Sequence, residues 1–111
     1  MKGCTNTIPA KKLIFENCKI YSNNELFTGK YELFKGDKYI VSTSKKGKIK
    51  TQKTYKNNIL LLEKKYDSCG SGFQKNYDLA GNKISEGYFM KEKRIGRWKY
   101  FLKDSVYYIN Y

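Results

Sequence analysis

The chain contains no histidine and a single proline, Pro9, in 111 residues. Without imidazole, neither a Ser-His-Asp nor a Cys-His arrangement can be assembled, and acid-base work would fall to carboxylates. Those are scarce as well, at 10 Asp and Glu against 23 Lys and Arg. Glu86 and Glu92, or Glu63 and Asp67, have no distinctive spacing and read as solvated partners of lysine. Gly70-Ser71-Gly72 lacks the lysine and the helix that a phosphate-cradling loop needs. The reading is therefore of a protein that is not an enzyme and carries no catalytic residues.

Three cysteines, Cys4, Cys18 and Cys69, form no C-x-x-C pair, so a zinc site would need all three thiolates plus a carboxylate. No metal and no cofactor is expected. A Cys18 to Cys69 bridge and reduced cytosolic thiols are both compatible with the pattern. Met1-Lys2-Gly3-Cys4 is followed by no apolar run, which reads as cytoplasmic as written. A trimmed lipoprotein bearing its lipid on Cys4 is the alternative, and it would place the chain in the periplasm or envelope. No stretch of about 12 residues keeps apolar i, i+3, i+4 spacing, so a long amphipathic helix is excluded.

What the chain does have is strand formers and turn residues. There are 11 Tyr, 6 Phe and 9 Gly. The clearest stretch runs from Gly87 to Phe101, where two aromatic-rich segments flank a charged connection around Glu92-Lys93. Alternation places Gly96, Trp98, Tyr100 and Leu102 on one face, with Arg97, Lys99 and Lys103 on the other. The same unit occurs upstream: Gly96 follows Gly72 by 24 residues, and Tyr100 follows Tyr77 by 23. A weaker copy begins at Gly29-Lys30-Tyr31-Glu32-Leu33-Phe34. A period of this length signals stacked supersecondary units.

Gly-x-Trp-x-Tyr after a basic turn, in Arg94-Ile95-Gly96-Arg97-Trp98-Lys99-Tyr100, resembles the membrane occupation and recognition nexus (MORN) repeat. It is most similar to the bacterial variant found in antitoxin and immunity proteins. The resemblance is clearest over residues 70 to 111 and weaker over 26 to 40; residues 41 to 66 carry only echoes of it. It implies an all-β antiparallel meander of stacked hairpins in an elongated single-layer sheet of about ten strands. Residues 1 to 11 read as a flexible lead-in and residues 12 to 111 as a single domain.

A formal charge of +13 and pI near 9.6 suit three kinds of partner: an acidic protein, an anionic membrane surface or a nucleic acid. The resemblance favours the first, a cognate toxin bound by an immunity-type protein. Nucleic-acid binding has no motif beyond basic residues interleaved with aromatics. Open strand edges add a homodimer to the expected partners. The candidate docking residues are Tyr31, Phe34, Tyr77, Arg94, Arg97, Trp98 and Tyr100, chosen because aromatics and arginine concentrate interface energy. The competing reading of the Gly-x-Trp-x-Tyr aromatics is that they stack between repeats as core.

Overall fold

In the computed structural model, which describes residues 7–111, twelve short strands form two sheets. The strands are β1 (Ile8–Pro9), β2 (Ile14–Glu16), β3 (Lys19–Ser22), β4 (Glu25–Leu26), β5 (Gly29–Lys35) and β6 (Lys38–Lys45), followed by β7 (Lys48–Lys56), β8 (Ile59–Ser68), β9 (Ser71–Tyr77), β10 (Lys83–Met90), β11 (Lys93–Phe101) and β12 (Val106–Asn110). From β5 to β12 each strand pairs antiparallel with the next, giving an open meander that never closes. The molecule is elongated, 49 × 29 × 27 Å. The all-β hairpin meander expected from the sequence is the fold.

Turn chemistry sets the period. Of the seven two-residue hairpin connections among the described residues, four begin at Asn23, Lys46, Cys69 and Lys91, in steps of 23, 23 and 22 residues, and the others begin at Asn17, Gly36 and Asn57. Asn23-Asn24, Lys46-Gly47, Asn57-Asn58 and Lys91-Glu92 all hold positive φ at both positions. That is the backbone of a type I′ turn, whose twist matches the flanking strands. The last hairpin thus turns at Lys91-Glu92, with φ of 53° and 63°, one residue before the expected Glu92-Lys93. Asp104-Ser105 lies in a wider loop, which the Leu102 N–H closes on the Ser105 carbonyl.

The β9–β10 connection is longer and is organised by Asp78. Its carboxylate accepts from the N–H groups of Ala80 and Asn82, both at 2.9 Å. The hydrogen bond to Asn82 is the main reason that the Asp78 carboxyl sits below the usual carboxylate range. Its anion therefore steadies the loop above the ordinary carboxylate pKa, and that help disappears as the pH falls through the lowered value. Asp78→Ala should speed amide exchange at Ala80 and Asn82 at neutral pH and leave β5–β7 amides unchanged.

Two parts of the fold lie outside the expected single-layer meander. Residues 1 to 6, with Cys4, lie outside the described residues. Ile8 and Pro9 pair parallel to Tyr31 and Glu32, so β1 covers the outer edge of β5. β2, β3 and β4 form a second antiparallel sheet. This small sheet lies over one end of the large one. Leu13, Ile20, Phe27 and Tyr31 are buried between the two, with Ile8, Ala10 and Ile49 packed around them. Backbone bonds join the layers, from Ile20 N–H to Gly47 O and from Gly47 N–H to Phe27 O, each 2.8 Å. A disulfide between Cys18 and Cys69 crosslinks them, resolving the two thiol readings in favour of the bridge.

Register makes two unlike faces. On the inner face, which the small sheet partly covers, a row crosses the strands through Tyr31, Ser42, Gln52, Lys64, Gln74 and Gly87 towards Trp98. Its middle is polar and internally bonded: Asn76 Nδ2 donates to Ser85 Oγ and Gln74 Nε2 to Asn76 Oδ1, both at 2.9 Å. On the outer face, Lys53, Glu63, Lys75, Glu86 and Lys99 lie opposite one another on successive strands, alternating in sign. A slip of one strand by one residue would turn this ladder to the wrong face, so the ladder fixes register. Ile59-Leu60-Leu61-Leu62 is a strand, as its length suggests, but half-buried, because among the described residues most of the large sheet has no second layer.

Candidate docking hairpin

The last hairpin is built around Trp98, whose side chain is 0% exposed. Gly87 stands opposite it, and any Cβ there would run into the indole ring. At this point β11 carries two more residues than β10 between the Glu86–Lys99 and Tyr88–Ile95 pairs. Gly96, at φ 69°, sits within the bulge. Two extra residues leave the alternation intact, so Trp98 and Tyr100 share the inner face while Arg97 and Lys99 point outward, as the alternation predicts.

Around Trp98 a cluster of side chains closes the inner face. Trp98 Nε1 donates to the Tyr88 carbonyl at 2.8 Å. The Arg94 guanidinium lies 4.6 Å from the indole centroid. It also donates to Tyr100 Oη at 2.6 Å and to Tyr111 Oη at 3.2 Å. The Tyr100 and Tyr111 hydroxyls bond each other. Those bonds, from Tyr100 first and then Arg94, pull the Tyr111 phenol below its ordinary pKa, while partial burial raises that of Tyr100. On the outer face Arg97 stacks on Tyr108, 3.9 Å from its centroid.

The seven candidate residues do not form one surface. Arg94, Trp98 and Tyr100 meet on the inner face of the last hairpin; Arg97 is on the opposite face. Tyr31 is buried beneath the small sheet, in edge contact with Phe15 and Phe27. Tyr31 and Trp98 are therefore core, because these interior sites shield both rings from solvent. Phe34 is 69% exposed but lies on β5, with five strands between it and β11, against Tyr39. Tyr77 is half-buried at the end of β9, opposite Lys83.

Residues outside that set complete the surface. Val106, Tyr107, Tyr108 and Ile109 are each more than a third exposed, as are Tyr88, Met90 and Ile95 nearby. β12 also leaves its backbone unpaired on one side. The Leu102–Ser105 and Tyr111–Gly96 bonds fix the phase of the β11–β12 ladder, so Tyr107 and Ile109 bond inward to β11. Val106, Tyr108 and Asn110 turn their N–H and C=O groups away, and no strand among the described residues meets them. The signal in the sequence was the β-forming run Val106-Tyr107-Tyr108-Ile109, which has no lysine, proline or glycine to blunt an edge.

The class that fold and surface define is an open antiparallel hairpin meander with one covered end and one bare aromatic edge. Comparison with known protein families, curated proteins and solved structures finds no match.

Proposed function

We propose that this chain is a non-enzymatic protein-interaction module of the antitoxin or immunity type, which takes an extended acidic segment of a partner toxin as an added strand on β12. The observation that carries the reading is the unpaired backbone of Val106, Tyr108 and Asn110 beside exposed aromatic side chains. In strand addition the backbone supplies affinity and the alternating side chains supply selectivity. Arg97, Lys99 and Lys103 flank the edge, and a net charge of +13 favours fast encounter with an acidic partner. The cross-sheet disulfide supports function in an oxidising compartment, where an exported toxin would be met.

The test is capture from nuclease-treated lysate of the source cells at physiological salt, with Tyr108→Pro as the control. Proline there removes an N–H that points away from β11, so the ladder survives while strand addition is blocked. One abundant acidic protein should be retained by the native chain and lost from the variant. Its binding should slow exchange at the amides of Val106, Tyr108 and Asn110. If only nucleic acid or lipid is retained, and washes off as salt rises, the immunity-type reading fails.

A further inference from the structure

Where the two sheets meet, they leave a cleft that the core does not fill. One compartment, of about 500 Å³, is walled by the rings of Phe15, Tyr31 and Tyr66 and by Ile20 and Ile49. A second, of about 300 Å³, is lined by Lys19, Lys48 and Lys50 with Asp67 as its one acid. Asn17, Cys18, Lys19, Ile49 and Cys69 line both, so the compartments adjoin at the disulfide. Both volumes fall in the range of small-ligand sites, which start at roughly 300 Å³.

The two compartments differ in chemistry. The first is aromatic and mostly apolar, and its charged lining is balanced, with Glu16 and Glu92 against Lys19 and Lys91. Burial holds the Tyr66 phenol well above its ordinary pKa, so this wall stays a neutral hydroxyl even in alkaline solution. In the second, none of the three lysines enters an ion pair among the described residues. The bridge fixes the spacing of the two walls, because Cys18 sits in the β2–β3 turn and Cys69 in the β8–β9 turn. Lysines gathered at the end of a ring-lined cleft match one kind of molecule, in which an apolar body and an acid group are joined.

We propose that this cleft binds a single amphipathic anion, with an aromatic or acyl body against the wall formed by Phe15, Tyr31 and Tyr66 and its acid group among Lys19, Lys48 and Lys50. The site is remote in sequence from the β12 edge and independent of the partner reading.

The experiment uses two fluorescent probes with one ring system, anilinonaphthalene sulfonate and its uncharged parent N-phenylnaphthylamine. The native, disulfide-bonded chain should bind one equivalent of the sulfonate about ten-fold or more tighter than the neutral probe. The Lys48→Glu, Lys50→Glu double variant changes only exposed side chains. It should erase that preference without weakening the neutral probe. Phe15→Ala should weaken both probes, and Tyr108→Pro neither. Equal affinity for the two probes overturns the proposal, as does a preference that survives charge reversal, or binding that is lost in Tyr108→Pro but kept in Phe15→Ala.

Discussion

Replacing Cys18 and Cys69 with serine should lower the unfolding free energy by about 4 kcal/mol, the chain-entropy value for a closed loop of this length. The two cysteines are 51 residues apart, so the open chain gains a large set of conformations that the bridged one never visits. Few local contacts would mask the loss. Both cysteines are exposed, and serine fits either site without a buried unpaired group. The measurement is urea unfolding of the native chain and the double variant, followed by far-ultraviolet circular dichroism. A difference below about 1 kcal/mol would show that the core of Leu13, Ile20, Phe27 and Tyr31 holds the small sheet in place unaided.

Trp98→Ala should cost about 3–5 kcal/mol, the range for deleting a large buried ring. The indole is completely enclosed, its N–H satisfies the Tyr88 carbonyl, and Arg94 and Tyr111 lean against it. Removing it leaves a cavity and an orphaned carbonyl together. Gly87 offers an internal check. In the native chain Gly87→Ala drives a methyl into the ring and should destabilise by about 1–3 kcal/mol. In the Trp98→Ala background the same change should be neutral or stabilising, since the methyl enters vacated space. A double-mutant cycle by denaturant unfolding reads the coupling directly. Additive effects would mean that Gly87 is required for its backbone rather than for room.

The strands, their hairpin order and most turns were legible because each depends on neighbours in sequence. Asn57-Asn58 declares a tight turn through asparagine's tolerance of left-handed angles. Lys91-Glu92 does not, because neither residue favours that region; the strands on either side impose it. The segment from Leu13 to Tyr21 reads as a strand or hairpin and Ser22 to Glu25 as a turn, but that these strands make a separate layer was hidden for a related reason. β2, β3 and β4 are two to four residues long, too short to show a period, and what makes them a layer is contact with Tyr31 and Ile49 on the large sheet. Gly-x-Trp-x-Tyr showed which residues share a face. It did not show that the face would close over Trp98, which depends on Arg94 and Tyr111 from outside the motif.

The sites divide in the same way. Arg97 and Trp98 are sequence neighbours, and adjacent strand residues face apart, so a surface containing both could not form. The bare edge of β12 is a property of topology. Nothing in Val106 to Asn110 tells which side of the strand is paired, and only the order of the sheet decides it.

Every strand from β6 to β11 makes ladder contact only with its two neighbours in the large sheet, so cooperativity passes down the molecule as along a zipper. One end of the zipper is stitched: a covalent bridge, a buried cluster and a parallel strand meet there. The other end is held by one hairpin around one indole. Breathing of the native state should thus be polarised along the strand order and concentrated in the strands that a partner would extend, which amide exchange would read. A segment added there would act as the missing last tooth, and its binding would tighten that half of the molecule while the stitched half already stood firm.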